Sequence, residues 1–421
     1  MSRWTRREFV SAAGAAGVTL AAPMARGQAK PRVVVVGGGV GGSTACKYLA
    51  AGAKTLDVTL IEPKPRYTTC FFSNLYLAGL RSFESLTHGY ETLAQRYGVN
   101  VISDSAAMID PSAKIVRLES GAALPYDRLV VSPGIAFKFG AIDGYDEAAA
   151  QTMPHAWNAG PQTKLLRAQL EAMEDGGVFV IAAPPNPFRC PPGPYERASL
   201  VAYYFKQYKP RSKILILDAK DTFFEQDLFQ DGWNRLYPGM IEWLPAEFTG
   251  GVKAVDLKGR SVQTASETFN ASVANIIPPQ VAGRLAQQAG LADQSGWCPV
   301  DPITFESKLQ PGVYVVGDAA SAGDMPKSAF CANSQAKVCA FAIAAALTGS
   351  QPIAPHLFNT CFTYLAADDA VSDAIRFTLA DGTIKIGDIF MSKVGESPES
   401  RRQAVREAGG WYDAFTHDVF G

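Results

Sequence analysis

The sequence predicts an α/β protein with two Rossmann-like dinucleotide-binding domains followed by a C-terminal α+β interface domain. Three observations carry that expectation. A β-branched strand runs into a glycine cluster, Gly37-Gly38-Gly39-Val40-Gly41-Gly42, at the head of a helix. A second strand–loop–helix–strand unit begins at Gly177, with prolines where a nucleotide-binding loop carries glycines. A strand ending in Gly317-Asp318 returns much later, as a split first domain requires. The expected organisation is an export signal over residues 1–29, a first dinucleotide domain over 30–145 and 286–350, a second Rossmann-like domain over 146–285, and the interface domain over 351–421.

The bulk numbers fit that plan. A chain of 421 residues is too long for one simple core. With 47% hydrophobic and 19% charged residues it has a globular composition. A formal charge of −1 offers no basic footprint for nucleic acid. The four histidines are scattered and share no metal-ligand spacing with one another or with the cysteines, so no metal site is expected.

The N-terminus reads as an address. Thr5-Arg6-Arg7-Glu8-Phe9-Val10 is a twin-arginine pattern, followed by a weakly apolar, Ala/Gly-rich stretch to Ala25. That stretch is too short and too rich in small residues to span a bilayer. Twin-arginine export carries folded proteins, so the expectation is a periplasmic protein loaded with a bulky cofactor. No other apolar run approaches about 18 residues, and no stable membrane insertion is expected.

In the first domain, Arg32 to Val36 is a continuous apolar strand of the kind buried on both faces. The fingerprint glycines Gly37, Gly39 and Gly42 permit a tight turn and a close backbone approach to a pyrophosphate at the N-terminus of a helix over Ser43–Ala50. A second strand, Leu56 to Ile61, ends at Glu62, about 20 residues past Gly42, where an acid binds ribose. The dinucleotide is NAD or FAD on this pattern alone. Tyr126 to Gly134 and Val313 to Asp318 resemble the corresponding strands of two-dinucleotide flavoproteins of the disulfide reductase type, which favours FAD. In that architecture Gly317 and Asp318 meet the flavin's ribityl chain. A helix beginning near Ser334 aims its positive end at the flavin.

In the second domain, the loop Ala183-Pro184-Pro185-Asn186-Pro187 to Cys190-Pro191-Pro192 cannot cradle a pyrophosphate. Proline has no N–H to donate, and its fixed φ blocks the glycine turn. A helix over Arg197–Tyr208 and a strand over Lys213–Leu217 still follow. NAD(P)H is therefore not the expected electron partner.

Seven cysteines are too few to build a scaffold from disulfides in a chain this long, so each is read separately. Cys46, Cys298, Cys331 and Cys339 read as packing. The segment Cys190-Pro191-Pro192-Gly193-Pro194-Tyr195-Glu196-Arg197 resembles the redox-cysteine segment of the flavocytochrome c sulfide dehydrogenase flavoprotein. Asn359-Thr360-Cys361 resembles the segment of its second redox cysteine. Tyr67-Thr68-Thr69-Cys70-Phe71-Phe72-Ser73-Asn74 resembles the segment whose cysteine bonds to the flavin, and Met325-Pro326-Lys327-Ser328 its flavin-side helix start. The resemblance runs along nearly the whole chain.

It implies a Cys190–Cys361 disulfide that sulfide attacks, FAD held covalently through Cys70, Lys327 and Ser328 at the cofactor, and a c-type cytochrome partner contacted by the C-terminal domain. Hydrosulfide attack on a disulfide yields a persulfide and a thiolate. Two roles fit Glu196: a general base beside the disulfide, or a carboxylate favoured at a helix N-terminus. Sulfide:quinone oxidoreductases share the architecture and are the alternative enzyme. A flavoprotein that only scaffolds a cytochrome is the alternative without turnover. The C-terminal aromatics, Trp411 to Phe420, serve either the partner or the core.

Overall fold

Arg32–Val36 is the middle strand of a five-stranded, fully parallel sheet. Its order is Val313–Val315, Arg128–Val131, Arg32–Val36, Asp57–Ile61, Asn100–Ile102. Val33 and Val35 are both 0% exposed, because helices cover the two faces and leave no side for polar residues. The chain is described by a computed structural model covering residues 29–349, 351 and 354–421. The twin-arginine motif and the apolar stretch behind it lie outside the described residues. Pro31–Gly421 packs as one compact unit.

The helix Val40–Gly52 leaves the first strand through the glycine turn. Gly37 has φ +98°, and a Cβ there would sit 2.3 Å from the Ser132 carbonyl oxygen. A Cβ on Gly42 would lie 1.8 Å from the Gly37 carbonyl oxygen, so only glycine lets helix and strand pack this closely. The predicted helix was shorter at both ends than the observed one.

A second parallel sheet follows, ordered Ile241–Leu244, Lys213–Asp218, Val178–Ala183, Val273–Ile276. The helix between its two central strands is Gly193–Tyr208, which starts at the proline-rich loop itself. Proline is tolerated in a first helical turn, which is why the loop can end as a helix.

The helix expected near Ser334 begins at Ala329 and runs to Thr348. Ser328 caps it, its hydroxyl accepting from the Cys331 amide at 3.0 Å. This helix has 20 residues and a mean hydropathy of 1.3, long and apolar enough to cross a membrane by composition. That corrects the expectation that no second apolar run existed. Over half of it is buried in the fold, where it packs on Val40–Gly52 as a core helix.

The C-terminal region is α+β. Leu357–Ala366, Asp369–Ala380 and Thr383–Met391 form an antiparallel three-stranded sheet, with Cys361 directly opposite Asp373. The stretch from Pro398 to Phe420 is a single helix capped by Ser397. Its polar first half and the Gly409-Gly410 pair hid it from sequence reading. Its aromatics belong to the core: Tyr412 is 1% exposed and Phe415 5%. The exposed large apolar side chains of this region include Ile386, Ile389, Phe390 and Val394, on and after the strand Thr383–Met391, with Phe358 and Leu379 on the other two strands.

Candidate active site

A cavity of about 610 Å³ runs from the glycine turn to the C-terminal sheet. Gly37, Gly39, Gly41 and Glu62 line one end; Cys70, Cys190, Glu196 and Cys361 line the other, with Asp318, Lys327 and Ser328 along the wall. Residues distant in sequence are thus collected around one space. Gly42 and Gly317 shape it from behind: Gly317 has φ +80° and donates its amide to Gln335 Oε1 at 2.8 Å.

The cavity suits a dinucleotide. The helix Val40–Gly52 opens on it with no side-chain cap, so its first amides are available to phosphate. Glu62 accepts from the Gly38 amide at 2.7 Å, which fixes its carboxylate beside the turn. Three lining residues, Tyr90, Trp157 and Trp411, carry buried Oη or Nε1 groups with no hydrogen-bond partner among the described residues. Such donors call for a polar occupant. The helix Ala329–Thr348 also brings its N-terminus to this space through Ser328, Ala329, Phe330 and Ala332, where its dipole favours negative charge.

Asp318 is already engaged. It pairs with Arg189 Nε at 2.6 Å, and Arg189 also donates to Asn158 Oδ1 at 2.9 Å. The backbone adds a second tie, Cys190 N–H to the Lys327 carbonyl at 2.8 Å. The loop carrying Cys190 is thereby stitched to the cofactor segment. Lys327 donates to the Asp318 and Ala320 carbonyls at 2.7 and 3.1 Å and lies 3.6 Å from the centre of the Trp297 ring. Burial lowers its pKa to about 8, with Asp318 opposing.

Cys70, Cys190 and Cys361 are free thiols, each half-buried, and no disulfide occurs among the described residues. Cys190 sits on the cavity wall with φ +58°, held by the bond to Lys327. Burial pushes its thiol well above the ordinary range, Glu196 and Cys70 add to the rise, and Arg189 opposes it. Cys361 is pushed the same way by burial, then by Asp373, Cys190, Glu225 and Glu196. Both thiols line the same cavity.

Glu196 is half-buried in the first turn of its helix. Its Oε2 accepts from Asn74 Nδ2 at 2.7 Å and its Oε1 from the Tyr364 amide at 3.0 Å. Burial raises its pKa against those two hydrogen bonds. Asn74 is oriented in turn by Arg197 Nε at 3.0 Å. Arg189, Arg197 and Asn74 were missed as functional residues. Arg189 could have been suspected as a cation adjoining Cys190. Nothing in the sequence connects Asn74 to Glu196, since the two lie 122 positions apart.

Cys70 is packed from outside by the last helix. Thr69 Oγ1 lies 3.0 Å from Tyr412 Oη, and the Phe71 ring meets Trp411, Tyr412 and Phe415. In the second domain, Asp218 ends the strand where a nucleotide-binding unit would hold ribose. It is 0% exposed and accepts from Tyr195 Oη at 2.5 Å, Lys220 Nζ at 2.5 Å and Trp243 Nε1 at 3.0 Å. Protein side chains occupy that position.

Family models match three consecutive stretches. Residues 31–167 match the pyridine nucleotide-disulphide oxidoreductase model. Residues 163–278 match the central part of the sulfide dehydrogenase [flavocytochrome c] flavoprotein chain, and residues 353–420 the flavin-binding part of flavocytochrome c sulphide dehydrogenase. The chain is 56% identical over 43 residues to the sulfide dehydrogenase [flavocytochrome c] flavoprotein chain of Chlorobaculum thiosulfatiphilum, 10% of this chain and 90% of that sequence. It is 34% identical over 185 residues to the sulfide-quinone reductase of Aquifex aeolicus (strain VF5), 43% of this chain and 41% of that one. To the mitochondrial sulfide:quinone oxidoreductase of Mus musculus it is 24% identical over 310 residues, 68% of this chain and 65% of that one. The matches thus span less than two thirds of these two relatives.

Among solved structures, the sulfide:quinone oxidoreductase from Aquifex aeolicus superposes with a TM-score of 0.73 at 20% identity, covering 93% of this chain and 91% of that one. An NAD-dependent persulfide reductase from A. fulgidus gives 0.65 at 16% identity, covering 90% and 77%. At these identities the likeness is one of fold. The sequence matches go further: the chain belongs to the family of flavocytochrome c sulfide dehydrogenase flavoprotein chains.

Proposed function

We propose that the protein is a periplasmic sulfide dehydrogenase flavoprotein that oxidises hydrogen sulfide and delivers electrons to a c-type cytochrome subunit. The observation that supports it most is the gathering of Cys70, Cys190, Cys361 and Glu196 on one end of a dinucleotide-sized cavity. Cys190 and Cys361 are assigned as a disulfide in the resting enzyme. Hydrosulfide attacks one sulfur, forming a new S–S bond to that cysteine while the Cys190–Cys361 bond breaks and the other cysteine leaves as thiolate. The sulfide sulfur is oxidised and the disulfide reduced by the same electron pair. The hydrosulfide proton passes to Glu196, whose carboxylate is held by Asn74 and the Tyr364 amide.

Gly37, Gly39, Gly42, Glu62, Gly317, Asp318, Lys327 and Ser328 hold FAD, with Cys70 as its covalent tether. FAD accepts electrons in pairs and releases them singly, the property needed between a thiolate and a haem. The occupied position at Asp218 and the prolines beside Cys190 support a site that does not use NAD(P)H.

Anaerobic titration of the purified flavoprotein with sulfide, and separately with NADH, tests the reading through the flavin absorbance. Bleaching by sulfide alone is expected. Bleaching by NADH alone would sink it. A quinone-linked enzyme is the second reading, favoured by the Aquifex and mouse relatives and by the exposed Ile386, Ile389, Phe390 and Val394. Co-sedimentation with lipid vesicles separates the two, since quinone access requires membrane affinity.

A further inference from the structure

Behind Cys361 lie two buried acids that the sulfide chemistry above does not use, Asp373 on the C-terminal hairpin and Glu225 at the head of the helix Gln226–Leu236. Asp373 stands directly opposite Cys361 in the antiparallel register. Opposed side chains share a face, with Cβ atoms about 4.5–5.5 Å apart. Asp373 is 2% exposed. Its Oδ1 accepts from Asn359 Nδ2 at 2.9 Å, while its Oδ2 is buried with no hydrogen-bond partner among the described residues. Glu225, at the start of the helix Gln226–Leu236, is also buried with neither carboxylate oxygen partnered among them. Arg401 of the last helix closes the group, 2% exposed, its Nε ion-paired with Glu396 at 3.6 Å and its Nη1 without a hydrogen-bond partner among the described residues.

The groups facing this pair come from every element around it. Cys190 and Glu196 face Cys361 from the redox loop and its helix, and Glu225 from the next helix. Cys331 faces Asp373 from the helix Ala329–Thr348. Arg401 faces Glu225 from the last helix. Burial raises Asp373 to about 6, with Asn359 opposing. Burial, and then Asp373 itself, pushes Glu225 well above the usual carboxylate range.

A cysteine acts as nucleophile or leaving group only as the thiolate. A half-buried thiol reaches that form more readily with a base beside it in the protein. We propose that Asp373 exchanges the proton of Cys361: the S–H bond breaks as an O–H bond forms on Asp373, and thiol plus carboxylate interconvert with thiolate plus carboxylic acid. The inference rests on the proposed sulfide chemistry only in giving Cys361 a redox role.

The test is the pH dependence of Cys361 alkylation by iodoacetamide in the anaerobically reduced, flavin-loaded protein, read by mass spectrometry. Two coupled groups titrate as a pair. The wild-type log rate rises with pH to about 6 and then flattens, because the next proton is lost from Asp373 and its charge keeps the thiol protonated. Asp373→Asn removes the break and rises with unit slope, exceeding wild type at pH 8 by on the order of tenfold or more. Asp373→Glu restores the break. Should Asp373→Asn not fold, Asn359→Ala supplies the test, because loss of its donor moves the break to higher pH. An unbroken wild-type profile, or wild-type and Asp373→Asn curves that run parallel, overturns the proposal. Sulfide titration alongside keeps the two readings apart: a break without sulfide bleaching would sink the sulfide reading and support this one.

Discussion

The Arg189 guanidinium and the Asp318 carboxylate form a 2.6 Å ion pair between residues 129 positions apart. It joins the loop that carries Cys190 to the turn expected at the flavin. Both side chains are largely removed from water, at 15% and 14% exposure, so loss of one leaves the other costly.

Arg189→Met is expected to destabilise the protein by about 3 kcal/mol, measured by denaturant unfolding. It should also raise the Cys190 thiol, which Arg189 holds down, and so slow alkylation of Cys190 at fixed pH. Unchanged stability and unchanged alkylation would mean the pair is a surface contact of little weight.

Cys361→Ser is expected to leave the fold and flavin content intact, because Cys361 is half-buried on a cavity wall and not in the core. Sulfide should then no longer bleach the flavin above the rate for free flavin. Stopped-flow absorbance decides it, and a normal bleaching rate would remove the disulfide from the mechanism.

Glu196→Gln is expected to slow flavin bleaching by sulfide about 10²–10⁴-fold. Burial raises the Glu196 pKa, so the carboxylate is the acting form only above that raised value. The wild-type rate should rise through it, and the variant should lose that limb when the two pH profiles are divided.

Lys327 has a folded pKa lowered to about 8 by burial, below its usual 10.5. The unfolded chain therefore binds more protons between those values, and stability rises with pH across them. Lys327→Met should abolish that rise, a difference on the order of 2–3 kcal/mol between pH 8 and pH 10.5. Urea unfolding of the flavin-free proteins at several pH values measures it.

Phe390→Glu combined with Ile389→Glu alters only exposed positions, at 71% and 46% exposure. Flavin bleaching by sulfide should be unchanged. Turnover with a cytochrome acceptor should fall if this strand meets a protein. Vesicle co-sedimentation should fall if it meets a membrane, and the variant thus sorts the two acceptors.

The parts of the fold that follow from period and turn chemistry were legible in the sequence. The apolar strand Arg32–Val36, the glycine turn and Glu62 needed only local rules, and the structure places them at one end of the cavity. The helix Ala329–Thr348 was placed five residues late because its start depends on Ser328 as a cap, a single residue easily read as loop. The helix Pro398–Phe420 was missed because Gly409-Gly410 interrupts its pattern; packing of Tyr412 and Phe415 onto Phe71 offsets that weakness. Asn74, Arg197 and Asp373 act through partners far away in sequence or across a strand, and such pairing has no local signature.

The last helix closes the Cys70 end of the cavity and is pinned to the first: Lys47 donates to the Gly421 carbonyl at 2.8 Å, and Asp418 accepts from Tyr48 and Asn333 at 2.9 Å. The helix Pro398–Phe420 follows the glycine turn in the chain by more than 350 residues, so the turn is made well before its lid. A chain still growing on the ribosome has no closed chamber to retain a cofactor. A bound cofactor can be retained only once this helix has docked, so loosening its ties to the helix Val40–Gly52 would open the chamber.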